Sequence, residues 1–469
     1  MTDAPQILAE LMLDEHRPLE SGLRLIEWAA ASGASGVIIP AQPRLTQEAS
    51  DTLAAAAREQ RLAWFTQLSD AERRIGHADV SKEVSSGLNA ALAGVKVVVK
   101  RLSLNRSLGG PTHQGALYPD EFHELACMIR WACETVQYRL QQAIGGHIDP
   151  VEHHAPTRSP ALEHVPTLLA GRHLKMGSAL AQRDLKTVAD LRGLSEELAP
   201  RVAGAKLLYD CQADDPLTFG MLEPLTAGWS AEPPLDISVV IRSKNEARWI
   251  ARCLFALTNQ RRLPKEIIVV DNDSTDETIA IASRYECTVL RIRDQEFSFG
   301  RALNRGIEAA TGRWVVSLSA HCIPVHDRWL EAFAGESLDS ERSAFIAAAY
   351  GRQEPLPDTS DFDKRDLWTT FGAERRVQRG QDFFFHNANS IIRRDVWAHL
   401  PFNERLSGVE DRDWAKKALA DGYTIVYAPL ASVHHYHGIH HGRNEVRAKR
   451  VAKVIELIHQ RQPAEAKAE

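Results

Sequence analysis

Apolar and polar positions alternate along the second half of the chain in a repeating order of buried run, polar turn and helical stripe. Residues 237–241 form an apolar run interrupted only by Ser238, which predicts a buried strand. Trp249, Leu254 and Leu257 then recur at helical spacing. A second run over 267–270 ends at Asp271, and a shorter one covers 288–292. Phe299-Gly-Arg-Ala-Leu-Asn-Arg-Gly306 opens a helix that stops near Gly312, and the strand 314–318 follows it into Ser319-Ala320-His321. This alternation predicts a mostly parallel sheet with helices on both faces. The polar groups at Asp271 and His321 then gather at the C-terminal edge of the sheet, where open α/β folds bind ligands.

The first half reads as α/β as well. Strands are expected at 7–11, 36–39 and 96–100, with helices over 20–31 and 47–59. Turn-forming stretches at 145–156 and 224–234 divide the chain. The expected segments are 1–145, 160–225 and 235–445, with a tail over 446–469 that forms a helix and frays at Pro463. Lys449 and Arg450 belong to a solvated face of that tail.

A chain of 469 residues is long enough for two or three domains. With 44% hydrophobic and 25% charged residues it can bury full cores and stay soluble. The net charge of -6 argues against a dedicated nucleic-acid binder, which would show a basic face. Six scattered cysteines without a CxxC pair fit a reduced, cytoplasmic setting better than a disulfide framework. The start lacks a basic and apolar leader pattern. No apolar run reaches the roughly 18 residues of a membrane span, and peripheral membrane association stays compatible with the composition.

Residue types suggest the chemistry of the sheet edge. Asp271 is placed to accept the imide N–H of a uracil-like base or to hold a ribose hydroxyl. Arg301, with the glycine before it, suits a diphosphate near a helix start. His321 suits a divalent cation that neutralises a leaving nucleoside diphosphate. The competing readings are a helix-capping Asp271, a hydrogen-bonded core His321, and packing roles for Trp249 and Trp397.

Four motifs in order carry a family resemblance: Val239-Val-Ile-Arg-Ser-Lys-Asn-Glu246, Glu266-Ile-Ile-Val-Val-Asp-Asn-Asp-Ser-Thr-Asp-Glu-Thr278, Asn304-Arg-Gly-Ile-Glu-Ala-Ala-Thr-Gly312 and Gly408-Val-Glu-Asp-Arg-Asp413. Over residues 235–440 the chain resembles family 2 glycosyltransferases of the GT-A fold. The resemblance implies a Rossmann-like mixed sheet, a nucleotide-sugar donor and a glycan or protein acceptor. It places Asp273 and Glu246 with Asp271 and Arg301 on the donor, and the general base at Asp411, with Glu410 second. Asp413 is expected to start the next helix. Phe383-Phe-Phe-His-Asn-Ala-Asn-Ser390 reads as an acceptor-side floor in which Asn387 or Asn389 bonds sugar hydroxyls.

One departure concerns the metal. The family's usual motif is Asp-x-Asp, and Ser319-Ala320-His321 stands in its place. Polypeptide N-acetylgalactosaminyltransferases use a related Asp-x-His followed by Cys, which His321-Cys322 resembles in its second half. In those enzymes a later histidine completes the site, and here Val433-His-His-Tyr-His-Gly-Ile-His-His441 is expected to supply it, His434 or His435 first and His440 and His441 solvated, to hold Mn²⁺ or Mg²⁺. Metal-independent transfer is the alternative, since a serine is a poorer ligand than a carboxylate.

The loop Leu104-Asn-Arg-Ser-Leu-Gly-Gly-Pro-Thr-His-Gln-Gly-Ala-Leu117 and the pair Ala9-Glu10 resemble the sialic acid (nonulosonate) synthase family. Leu174-Lys-Met-Gly-Ser-Ala-Leu-Ala-Gln-Arg-Asp-Leu185 and Gly193-Leu-Ser-Glu-Glu-Leu198 are similar to its antifreeze-like (SAF) domain. The resemblance implies a partial TIM-barrel-like segment of about half the usual ~250 residues, followed by a small β-rich domain. Arg101, Val99, Ala71 and Ile38 stand where that family keeps its metal histidine, a glutamate, a second histidine and a lysine. The segment is therefore expected to be catalytically dead, and its open strand edges suit a homodimer. Light scattering showing a monomer at micromolar concentration would count against that pairing.

The expectation is a cytoplasmic glycosyltransferase serving bacterial surface glycans or flagellin. Its alternatives are a nonulosonate synthase and a non-catalytic sugar-binding or assembly protein, the replaced residues weighing against the former.

Overall fold

A computed structural model describes residues 5–130, 165–337 and 344–437, apart from 15, 40–44, 66–75, 80–83, 93–94, 96, 107–112, 114, 190–192, 225–231, 381 and 407. The turn-rich stretch 145–156, most of the 224–234 stretch, Ala71, His440, His441 and the basic tail lie outside the described residues. The chain forms two compact units, one of residues 1–156 with 378–383 and 416–424, the other of 157–377, 384–415 and 425–469.

The first unit is built on β1 (Gln6–Leu11), α1 (Pro18–Ala31), β2 (Gly36–Ile38), α2 (Gln47–Glu59), β3 (Ala63–Phe65), β4 (Gly76–Asp79), α3 (Val84–Leu92) and β5 (Val97–Leu102). All strands are parallel, in the order β3-β2-β1-β5-β4. Strand alternation divides β1 between two cores. Ile7, Ala9 and Leu11 pack with Leu25, Ile26 and Leu53, while Leu8 joins Ile38, Val97 and Val99. Arg101 is not a vacant position: its Nε donates to Glu10 Oε2 at 3.0 Å.

The second unit begins with β6 (Pro166–Ala170) and β7 (Leu185–Ala189), an antiparallel pair. The larger sheet follows. Its elements are β8 (Leu235–Ser243), α4 (Ile250–Thr258), β9 (Pro264–Asp271), β10 (Thr288–Arg291), α5 (Phe299–Ala309), β11 (Trp314–Ser319), β12 (Cys322–Pro324), α6 (Trp329–Ser337), β13 (Ile346–Pro355), β14 (Arg376–Gln378), β15 (Asn389–Arg393), α7 (Glu410–Ala420) and β16 (Thr424–His435). The strand order is β10-β9-β8-β11-β15-β13-β16-β12, with β14 beside β16. The first four strands are parallel, as the alternation predicts. Beyond β11 the sheet is not parallel: β15 pairs antiparallel to both β11 and β13, and β12 antiparallel to β16. The sheet is therefore mixed.

Both faces of the parallel half are covered. Ile237, Val239 and Ile241 share a core with Ile250, Leu254 and Leu257 of α4 and with Trp329 and Phe333 of α6. On the opposite face Gly306 of α5 lies so close that a Cβ there would collide with Val240 and stand 3.1 Å from Val270. The small β6–β7 module has no separate core. Leu168, Leu174, Leu207 and Phe219 continue into Trp249, Phe255, Ile323 and Leu356 of the large sheet and its helices. A buried carboxylate fastens it: Asp327 accepts from Ser195 N at 2.9 Å and Ser195 Oγ at 2.5 Å.

Candidate active site

Strands β8, β9 and β11 end together, and their following loops are tied to one another. Asn245 and Asp273 both have positive φ, 54° and 47°, a conformation Asn and Asp tolerate because their side chains bond locally. Asn245 Oδ1 accepts from Thr275 N at 2.8 Å, Asn245 N donates to Ser274 Oγ at 2.9 Å, and Glu246 N donates to Thr278 Oγ1 at 2.7 Å. The motif around 271–278 therefore builds a rigid rim.

Within that rim the carboxylates do different things from those expected. Asp271 is fully buried, and its oxygens accept from Ser274 N at 3.0 Å and Ser274 Oγ at 2.5 Å. It closes the 271–274 turn; it caps no helix, since the next one starts at Thr278 with Glu277 at its N-cap, and its buried oxygens are taken by Ser274. Asp273 is exposed, with Oδ2 accepting from Asp294 N at 2.9 Å. Sequence reasoning passed over Asn272, which is 3% exposed and has an Oδ1 with no hydrogen-bond partner. Its signal was its place between two aspartates at a strand end.

Arg301 is committed elsewhere. Its Nε donates to Glu404 Oε2 at 2.7 Å and its Nη1 to the Glu296 carbonyl at 2.7 Å. Asn304 holds the other Glu404 oxygen at 3.1 Å. Gly300 allows the 403–404 backbone to approach: a Cβ would stand 2.8 Å from the Asn403 carbonyl oxygen. The start of α5 is covered by that segment, so the diphosphate role expected of Arg301 does not fit this arrangement.

The histidines come together differently from the sequence expectation. His321 follows β11, and β12 pairs with β16 so that Cys322 faces His435 and Ile323 faces His434. Neighbouring residues of a strand point to opposite faces. His434 accordingly turns to the small module, its Nε2 3.0 Å from Thr218 Oγ1, and it is not a ligand candidate. His435 instead stacks on His321, with ring centroids 5.1 Å apart and 7° between planes. His437, not singled out from the sequence, lies 4.7 Å from the His321 ring and 4.5 Å from the His435 ring. One nitrogen from each of the three comes within 4.8 Å of the others. Glu246 Oε1 sits 2.7 Å from His321 Nδ1, which makes it a partner of the histidine. Cys322 is fully buried, and burial pushes its thiol well above the usual range, so it brings no thiolate.

The acidic pair lies on the same edge. α7 begins at Glu410, three residues before Asp413, so Asp413 falls within the first turn. Asp411 is partly buried; its Oδ1 accepts from Arg412 N at 2.8 Å and its Oδ2 from Asn387 N at 3.3 Å. Burial raises its pKa above the ordinary aspartate value. The next residue, Ala388, accepts at its carbonyl from Ser319 N at 3.1 Å, which links the base candidate to the β11 end. Glu410 is 3% exposed; Gly408 N donates to it at 2.8 Å, and Arg242 Nη1 lies 3.8 Å away as an ion-pair partner. Burial, then the charge of Asp411, push its carboxyl up to about 7.

That value makes a stability prediction. Folded Glu410 keeps its proton to about pH 7, while an ordinary glutamate loses it near 4.5. The folded state therefore binds more protons between these values, and stability falls as pH rises through the window. Glu410→Gln, which mimics the protonated form, should nearly match wild type in urea unfolding at pH 4, below the unfolded value. At pH 8 it should be more stable by roughly 3 kcal/mol. An equal gap at both pH values would show that Glu410 does not titrate this way.

Asn387 and Asn389 do not face an acceptor. Asn389 is fully buried, donating to the Arg352 carbonyl at 3.1 Å and the Ala431 carbonyl at 2.8 Å, and accepting from Trp329 Nε1 at 3.1 Å. Asn387 is 1% exposed; its part in the site is the backbone N–H on Asp411. Phe385 is core, 5.6 Å from the Trp414 ring.

The large-sheet region is similar to known proteins. Residues 238–400 match the family described as Glycosyl transferase family 2. Over 44% of its length the chain is 29% identical to the O-antigen chain rhamnosyltransferase WbaN of Salmonella anatum, covering 67% of that protein. It is also 29% identical to the glycosyltransferase AglE of Haloferax volcanii, over 41% of this chain and 64% of that one. Among solved structures, the mannosyltransferase PcManGT from Pyrobaculum calidifontis, in complex with GDP-Man and Mn²⁺, is similar over 50% of this chain and 68% of its own, at 20% identity and a TM-score of 0.36. The chain thus spans about two thirds of the length of these relatives.

Proposed function

We propose, from the family 2 glycosyltransferase domain at residues 238–400, that the chain moves a sugar from a nucleotide-sugar donor to an acceptor hydroxyl in surface-glycan assembly. The observation that carries this is the convergence of Asp411, through Asn387 and Ala388, on the end of the strand that delivers His321. Asp411 takes the proton of the acceptor hydroxyl as that oxygen attacks the anomeric carbon. Asn387 N–H and Arg412 N–H orient its carboxylate. Arg242, in register with Ser319, places its positive charge beside Glu410 and keeps the pair from acting as two unshielded negative groups. The rim formed by 245–246 and 272–278, with exposed Asp273, suits the nucleoside.

The donor set also fits a divalent cation, since three imidazoles lie within reach of one ion. His321, His435 and His437 would hold it, and a bound cation would neutralise charge on the departing nucleoside diphosphate. We read the first unit as a truncated synthase-type barrel: the parallel order β3-β2-β1-β5-β4 is compatible with a ring lacking its middle strands, and Arg101, paired with Glu10, stands where the resemblance implies a metal histidine. It serves as scaffold.

A thermal-shift panel of UDP, GDP, CMP and dTDP, each with and without Mn²⁺, tests the donor site. A nucleotide at 100 times its dissociation constant adds about 2.7 kcal/mol, and one of the four should do so. No shift with any of them would remove the donor site from the account.

A further inference from the structure

We infer that His321, His435 and His437, with Glu246 behind His321, form a site that selects a nitrogen-preferring transition ion such as Zn²⁺ or Co²⁺ over Mg²⁺. The inference rests on the reading of this sheet edge as the donor site, but it concerns ligand chemistry alone.

The backbone dictates the set. His435 and His437 are two residues apart at the end of β16, and His435 is the register partner of the residue after His321. The three rings face one another at centroid separations of 5.1, 4.7 and 4.5 Å. Their nearest nitrogens lie within 4.8 Å, whereas three imidazoles on one tetrahedral ion need about 3.4 Å. His435 is buried and His321 and His437 are half-buried, so the closing movement falls to the two half-buried rings.

Ligand type then decides the ion. At position 319, two residues before His321, the chain carries a serine and not a carboxylate: Ser319 is 8% exposed, with its backbone tied to Ala388. Mg²⁺ demands oxygen ligands and sheds water reluctantly, so a cluster of neutral nitrogens gives it little. Imidazole suits Zn²⁺ and the later transition ions, and three protein ligands with a position left open is the composition of catalytic zinc sites. Glu246 supplies the outer shell. Its Oε1, 2.7 Å from His321 Nδ1, accepts that N–H and leaves Nε2 as the ligand atom. Glu246 is thereby a positioning residue, in place of the donor-binding role the motif suggested.

The test is Co²⁺ titrated into the untagged, metal-stripped full chain without nucleotide, read by visible absorbance and calorimetry. One equivalent should bind with d–d bands, be displaced by one equivalent of Zn²⁺, and resist a hundredfold excess of Mg²⁺. His437→Ala and Glu246→Gln should each weaken Co²⁺ by about 10–100-fold. His434→Ala, on the opposite face, should leave it unchanged, and so controls for loss of fold. Displacement of Co²⁺ by equimolar Mg²⁺, or binding unaltered in His321→Ala and His437→Ala, would overturn the inference. Tight Co²⁺ binding in a chain that transfers no sugar would leave this site standing and condemn the transferase reading instead.

Discussion

Asp411→Asn is expected to lower sugar transfer by about 10²–10⁴-fold while nucleotide and Co²⁺ binding stay near wild type. Two neighbouring carboxylates compete for the role of base, and their surroundings separate them. Glu410 is 3% exposed and held protonated to about pH 7, so near neutrality it is half neutral and closed to an acceptor. Asp411 keeps partial exposure, and burial raises its pKa toward the working pH, which favours proton acceptance. Asn has the same shape with no basic oxygen. Its Oδ1 can keep the 2.8 Å bond from Arg412 N, and only the longer 3.3 Å contact from Asn387 N is lost. The variant should therefore fold, and its defect should appear in kcat. Wild-type turnover in Asp411→Asn would mean that the base lies elsewhere.

Asn389→Leu is expected to destabilise the second unit by at least about 3 kcal/mol, because it orphans three buried polar groups at once. Asn389 ties β13 to β16 where their backbones come closest. Gly351 sits at that point, and a Cβ there would collide with the Ala431 carbonyl and the Asn389 amide. Leu would leave the Arg352 and Ala431 carbonyls and the Trp329 indole N–H without this partner at a fully buried position. The midpoint of thermal unfolding should fall by roughly 6–12 °C. An acceptor-binding Asn389 would behave in the opposite way, with stability intact and the acceptor KM raised.

The parallel half of the sheet was legible because β8, β9 and β11 are runs of β-branched residues buried on both faces, which leaves a strong local signal. The antiparallel half was not. β13 opens with Ile346-Ala-Ala-Ala-Tyr350, whose alanines favour helix as readily as strand, and β15 is five residues with Asn389 and Ser390 at its start. β3 and β4, three and four residues long, are too short to show a period.

At the site, Asp411 and His321 could be named from motif order, but roles that depend on register or on distant partners could not. His434 and His435 are indistinguishable in sequence, and only the pairing of β12 with β16 decides which faces His321. Once that is known, the period of two adds His437. Arg301 carries no local sign that Glu404, 103 residues away, will hold it. Asp271 had two readings, ligand and helix cap, and the serine three residues on, which takes both its oxygens, gives it a third role as the tie of a loop turn.

The central claim is sugar transfer, and release of nucleoside diphosphate from a panel of UDP-, GDP- and dTDP-sugars measures it most directly. With a divalent transition ion present and water in place of an acceptor, the wild-type chain should release diphosphate from one donor class, and Asp411→Asn should not. If the folded wild-type chain releases nothing from any donor, or if wild type and Asp411→Asn release it equally, the account is contradicted.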